Sequence, residues 1–215
     1  MNISIKKIRH IMRYHLRDVL NTIKFGRNAP KSAELIWINP ADVKSYTYNS
    51  PTRLPGKKTG SAINGDWDLY KRDFSKLEKY QICKQRFKYQ KSWEEAGAYS
   101  HMLNLIQKLH KVDDCENESD IKQRYESIDQ TYSKIRQRGF LPRKDINRSN
   151  FRELGGIRIH IDRNGELIFG GSGCHRMSIA KVLELDLIPA QLGIVHEKAI
   201  KNKVWRNNIR KGPNQ

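Results

Sequence analysis

The chain has 215 residues, 37% of them hydrophobic and 30% charged, with a formal net charge of +18. That length accommodates one domain with an extension, or two small ones, and suffices to bury a core. No apolar run approaches the ~20 residues that cross a bilayer, and three cysteines far apart with seven scattered histidines exclude a disulfide framework and a Cys/His zinc pattern.

The charge lies mostly at the ends. Residues 1–31 carry +7, residues 196–215 carry +5, and the 164 residues between them carry +6. Basic ends point to a polyanion: nucleic acid, an anionic membrane surface or a phosphorylated substrate. Lys6, Lys7, Arg9 and Arg13 break up any secretory h-region, so the expected location is the cytoplasm, including the inner face of the membrane.

Residues 3–25 read as a helix. Ile8, Ile11, Met12, Leu16, Val19, Leu20 and Ile23 recur at three- and four-residue steps, with Lys6, Arg9, Arg13, Arg17 and Lys24 between them and Gly26 as the stop. Two readings fit: an amphipathic helix docked on its own domain, or an interfacial helix on anionic lipid. Glu34 to Asn39 reads as a strand. Lys44 to Gly65 is a turn-rich loop with Pro51, Pro55, Gly56 and Gly60, of the kind that serves as a lid or binding loop.

That loop ends in Asn64-Gly65-Asp66-Trp67-Asp68. Carboxylates two apart in an extended segment point to one side. Asp66 and Asp68 are therefore candidate Mg²⁺ ligands, and one of them a candidate general base for a hydroxyl. The alternative is a turn with a buried Trp67 and solvated acids. Residues 73–90 read as a helix carrying Arg86. Ser92-Trp93-Glu94-Glu95 reads as a capping box that opens the next helix; the cap accounts for Glu95 and leaves Glu94 as a candidate contact. Residues 112–119 form an acidic connector, and Ser119 to Arg138 reads as a helix ended by Gly139.

The stretch from Gly155 to Val195 organises the rest. Ile157, Ile159 and Ile161 alternate with Arg158 and His160, Asp162-Arg163-Asn164-Gly165 is hairpin-turn chemistry, and Glu166 to Phe169 is the return strand. Gly170, Gly171, Ser172 and Gly173 then lead into a helix whose first residues are Cys174, His175 and Arg176, and Ile188 to Val195 reads as a further buried strand. A glycine-rich loop that opens a helix suits phosphate: its backbone approaches an anion closely, the first helical N–H groups have no internal partner, and the dipole adds positive potential. His175 and Arg176 add hydrogen bonds and charge. The alternative is a turn that merely joins strand to helix.

Gly173-Cys174-His175-Arg176, with the alanine-containing helix after it and Ile188-Pro189, resembles the phosphate-binding signature of the ParB/sulfiredoxin superfamily. Phe169 to Arg176 is similar to the sulfiredoxin Phe-Gly-Gly-Cys-His-Arg, with two residues more between Phe and Cys, and Leu35 to Val43 is similar to the first strand of that fold. The resemblance implies a small mixed sheet, here with a helical insert at about 66–150, inside a nucleotide-binding domain of 32–195 flanked by a basic helix (1–31) and a basic tail (196–215). The architecture is α+β. It implies nucleotide phosphates on Gly170, Gly171, Ser172, Gly173, Cys174, His175 and Arg176. The insert, the Gly-Asp-Trp-Asp element, Arg86 and Trp93-Glu94 resemble ParB-like proteins associated with glycan synthesis.

Three functions of different class follow. One is an ATP-dependent phosphotransferase with Mg²⁺, acting on a hydroxyl of a glycan or lipid-linked glycan, with Asp66, Asp68 and His175 catalytic and Arg86 and Glu94 touching acceptor or phosphate. A second is a ParB-like, nucleotide-gated nucleic-acid-binding protein or nuclease. The third is a sulfiredoxin-like reductase using Cys174, with the helix N-terminus, His175 and Arg176 favouring the thiolate.

Overall fold

The computed structural model describes residues 5–47 and 58–213, and side chains from residue 8 onward. Among the described residues are seven α-helices and a small mixed sheet of seven strands, an α+β architecture. They divide into two compact units: Met1–Phe74, Leu141–Gly173 and Asp186–Gln215 in the first, Ser75–Phe140 and Cys174–Leu185 in the second. The first segment of the helical unit, Ser75–Phe140, thus lies inside the insert expected over 66–150, and the unit also takes in the helix after the glycine loop.

The first unit holds the whole sheet. Its strands are β1 (Leu35–Ile38), β2 (Ser45–Tyr46), β3 (Ala62–Ile63), β4 (Arg72–Asp73), β5 (Arg158–Ile161), β6 (Leu167–Phe169) and β7 (Ile188–His196). They lie in the order β1-β7-β5-β6-β2-β4, and β3 also pairs with β7. β5 and β6 are the antiparallel hairpin read from the sequence, with Ile159 opposite Phe169 and Ile161 opposite Leu167. Asp162 shapes the turn: its Oδ1 accepts from the N–H of Asn164 (2.9 Å) and of Glu166 (2.8 Å). β7 runs parallel to β5, antiparallel to β1, and is buried at all nine positions. β5 differs from its alternating pattern, because His160 is buried along with Ile159 and Ile161. A strand flanked on both sides by others, with both faces covered, has no solvent face for its even residues.

The long helix α1 (Ile5–Phe25) ends where Gly26 takes φ 75° and donates to the Thr22 carbonyl at 2.9 Å. It docks on the sheet unit through its polar side. The Asp18 carboxylate accepts from the Ser32 N–H (2.7 Å) and pairs with Arg152 (2.6 Å). Asn21 donates to the Pro30 and Gly60 carbonyls at 2.8 and 2.7 Å. Tyr14, 6% exposed, stacks on Phe151 with ring centroids 5.4 Å apart.

The expected helix over 73–90 starts later. Ser45 pairs with Asp73, and the Phe74 N–H donates to the Lys44 carbonyl at 2.8 Å, so the sheet edge holds the backbone at 72–74. A two-residue strand has no periodicity to read, which is why β2 and β4 were hidden in a loop and a helix. Part of the 44–65 loop, residues 48–57, lies outside the described residues. The C-terminal residues are not a free basic tail: the short helix α7 (Glu197–Lys201) is followed by Trp205, 3% exposed, and the Arg210 N–H donates to the Trp37 carbonyl at 2.7 Å. Two short segments, α5 (Arg143–Ile146) and a 3-10 turn over Pro40–Asp42, complete this unit.

The second unit is helical: α2 (Glu78–Phe87), α3 (Ala98–Leu109), α4 (Glu118–Arg138) and α6 (Cys174–Val182). Its core gathers Ile82, Phe87, Trp93, Met102, Ile121, Tyr125 and Ile179. Asn117 caps α4 through Oδ1, which accepts from the Asp120 N–H at 3.0 Å, and Gly139 (φ 70°) ends it. The Ser92–Glu95 reciprocal bonds form (2.8 and 3.1 Å), but they close a turn over 93–97, and α3 starts only after Gly97, φ 79°.

Candidate functional site

The glycine loop belongs to the sheet unit as far as Gly173, and the chain enters the helical unit at Cys174. Within the sheet unit, Gly171 and Gly173 take φ 84° and 78°, which few side chains tolerate. The loop is tied to β5: the Gly170 N–H donates to the Arg158 carbonyl (2.9 Å), and the Arg158 N–H to the Ser172 carbonyl (3.1 Å). Gly170 is explained by packing, since a Cβ there would run into the His160 ring. His160 Nδ1 accepts from the Ile194 N–H at 2.8 Å, and burial, then Arg158, push this imidazole down to about 3. Arg158 is a residue that sequence reasoning passed over. Its backbone bonds to the loop at two points, burial lowers its pKa, and its buried Nε has no partner among the described residues.

Within the helical unit, α6 opens with Cys174-His175-Arg176. His175 and Arg176 line a cavity of about 520 Å³ together with Gln123, Arg124 and Ser127 of α4 and the acidic connector. That connector is a two-residue turn in which Val112 and Cys115 exchange backbone bonds at 3.0 and 2.9 Å, with Asp113 at φ 52° and Asp114 at φ 68°. Left-handed backbone at two non-glycine residues is the geometry of a primed hairpin turn, and Asp tolerates it better than most. Arg124 holds the turn: it donates to the Asp113 carbonyl at 2.8 Å and pairs with its carboxylate at 3.1 Å. Burial alone would raise the Asp113 carboxyl, but Lys79 and then Arg124 outweigh it and hold it below the ordinary carboxylate range.

His175 is half-buried, with its ring edge-on to Tyr125 at 6.2 Å between centroids. Burial, then Lys79 and Arg124, push the imidazole down to about 3. It is therefore neutral at physiological pH, and the charge expected from it is absent; it offers hydrogen bonds only. Cys174, beside it, is shifted by burial as well. Burial pushes its thiol up to about 11, against the opposing pull of Lys79. A thiol of that kind is not the activated thiolate expected at a helix N-terminus.

Asp66 and Asp68 lie in the sheet unit, and not in an extended segment: Asp68 belongs to a 3-10 turn, Trp67–Leu69, that Asp66 precedes. One guanidinium answers both. Arg163, from the β5–β6 turn, donates through Nη2 to Asp66 and to Asp68 (2.7 Å each) and through Nε to Asp68 (2.8 Å). Burial would raise the Asp68 carboxyl, but the Arg163 side-chain and backbone bonds more than offset it and hold it below its ordinary value. Trp67, buried as the alternative reading had it, stacks on His196 at 6.0 Å, whose Nε2 lies 2.8 Å from the Gly65 carbonyl. Both Asp68 oxygens are taken by Arg163, whereas Asp66 gives it only Oδ1 and is 69% exposed, so the two are not the free carboxylate pair expected for Mg²⁺. Among the described residues no group of three or more His, Cys, Asp or Glu is placed to hold a metal ion.

Arg86 is likewise occupied. It forks onto Asp129 with two bonds of 3.1 Å and lies over Trp93, whose Nε1–H donates to the same carboxylate at 3.0 Å. Glu94 sits exposed in the 93–97 turn. Neither lines the cavity of His175 and Arg176. Compared with known proteins, the chain matches no protein-family model, no curated protein and no solved structure.

Proposed function

We propose that the helical unit's cavity binds the phosphates of a nucleoside triphosphate, and that the chain is a nucleotide-dependent phosphotransferase acting on a hydroxyl, with a glycan or lipid-linked glycan as the acceptor class. The observation that carries this reading is the opening of α6 with His175 and Arg176 on a cavity that Arg124 also lines. The first N–H groups of a nine-residue helix and its dipole favour an anion. Arg176 supplies a planar donor fork, Arg124, held on Asp113, adds positive charge, and neutral His175 supplies a positioning hydrogen bond.

The same cavity has acidic walls in Asp114 and Asp120. Were Mg²⁺ to accompany the nucleotide, Asp114 and Asp120 would be the residues to hold it, and it would supply charge neutralisation at the phosphates. In the transfer the acceptor oxygen bonds the γ-phosphorus, the bond to the bridging oxygen breaks and the nucleoside diphosphate leaves with that electron pair. The acceptor proton passes to solvent or to a carboxylate of the cavity. The finer fold reading, a ParB/sulfiredoxin-like sheet with a helical insert, belongs to the same proposal; its support is the glycine loop after β6 and its His-Arg sequence at the start of α6.

The test is a thermal-shift series with ATP and Mg²⁺ on the wild type and on Arg176→Ala. Binding raises the melting temperature by mass action, by the equivalent of ~2.7 kcal/mol at a hundredfold excess over Kd. The wild type should shift and the variant should not. No shift with any nucleotide, or an equal shift in a folded Arg176→Ala protein, would overturn the reading.

A further inference from the structure

Helix α1 is docked the opposite way round from an ordinary surface helix. Its polar residues Arg17, Asp18 and Asn21 are turned into the sheet unit, Arg17 donating to the Thr59 carbonyl at 2.7 Å. Its apolar residues face out: Met12 is 65% exposed, Leu16 61% and Ile23 77%, and Ile8, Val19 and Leu20 are exposed beside them. At 100° per residue these six cover roughly a third of the helix circumference. Six large apolar side chains in one stripe exceed the scattered exposure that soluble surfaces show.

The charge around the stripe has one sign. Arg9 and Arg13 are exposed along one edge, and the helix's single acid, Asp18, is turned inward onto Arg152. At its C-terminal end, Lys24 lines a cleft of about 520 Å³ with Lys201, Lys203 and Arg206. Among the described residues of the cleft, Glu197 pairs with Lys24 at 2.7 Å and Lys201 at 3.8 Å, and Glu34 with Arg206 at 2.7 Å. A second copy of the helix is a poorer occupant. The longest heptad seam is Met12, Leu16, Val19 and Ile23, bounded by Arg9 and Gly26, which is under the three to four heptads a coiled coil sustains. Ile8 and Leu20 fall outside that seam, so the stripe suits a flat apolar boundary with negative charge above it.

We infer that the exposed face of α1 inserts into the headgroup boundary of an anionic membrane, with its apolar stripe among the acyl chains and Arg9, Arg13 and the Lys24 cleft at the phosphate level. The inward polar contacts keep the helix on the sheet unit while its apolar side stays available, so attachment needs no unfolding. Such binding is interfacial and salt-sensitive. It stands independently of the proposed phosphotransferase activity.

The full chain, sedimented with vesicles of phosphatidylcholine mixed with phosphatidylglycerol, tests it. The wild type should bind these vesicles and release in high salt, and should not bind phosphatidylcholine alone. Leu16→Gln with Leu20→Gln changes only exposed positions and should weaken binding about tenfold or more. Arg9→Gln with Arg13→Gln should weaken it with the fold intact, checked by circular dichroism. Equal binding to neutral vesicles, undiminished binding of the leucine variant, or a wild-type dimer in light scattering that the leucine variant converts to monomer, would each overturn the inference.

Discussion

Arg163 and Asp68 form a two-pronged ion pair, Nε to Oδ2 at 2.8 Å and Nη2 to Oδ1 at 2.7 Å, on a carboxylate side chain only 1% exposed. The Arg163 N–H adds a third bond to Oδ2 at 3.0 Å. The pair ties the β5–β6 turn to the 3-10 turn that carries Trp67. Because the charge of Asp68 is answered within the fold, its removal should be felt as stability.

Asp68→Asn should therefore lower the unfolding free energy by about 2 kcal/mol, because the buried carboxylate's charge-assisted bonds to Arg163 are lost. Asp66→Asn, whose side chain is 69% exposed, should cost under ~1 kcal/mol. The folded pKa of Asp68 lies below its ordinary value of 3.8, so its contribution is present above that value and is lost as pH falls through the lower folded one. Urea titrations from neutral pH to pH 3 should show the wild type losing more stability than Asp68→Asn. Neither variant should change the thermal shift given by ATP. An unchanged Asp68→Asn urea midpoint would remove the structural role.

Gly193 should resist alanine. A Cβ there would run into the His160 ring, which is buried on the Ile194 N–H. Overpacking of this kind costs ~1–3 kcal/mol. Replacing His160 by alanine should relieve the ring's share of the clash, leaving the Ile159 carbonyl at 2.9 Å, so the double variant should be less destabilised than the two single losses added together. Simple additivity in a urea-denaturation cycle would mean that the ring is not what excludes the side chain.

Cys174 should be slow to alkylate. A thiol pushed up to about 11 is almost wholly protonated at pH 7, and the rate should climb with pH through that value. Cys174→Ser should keep the nucleotide-dependent thermal shift. Fast alkylation at neutral pH, assigned to Cys174 by peptide mapping, would restore the reductase reading.

Much of the fold was legible in the residues themselves. The Ile-x-Ile-x-Ile alternation, the Asp-Arg-Asn-Gly turn, the apolar run of β7, the periodicity of α4 and its Gly139 stop are local signals, set by backbone preference and side-chain spacing. So was the backbone of Gly170 to Arg176, because glycine freedom and a helix start are written in adjacent residues. What tertiary structure decided is partnership. Whether Asp66 and Asp68 are free depends on Arg163, about a hundred positions away, and whether His175 and Cys174 are charged depends on burial and on Lys79 and Arg124. The helix α1 shows the limit most plainly: its apolar period stood in the sequence, but which face meets the sheet unit followed from Asp18 finding Arg152 and Asn21 finding two carbonyls. Periodicity names the two faces of a helix; only long-range contacts choose which one is buried.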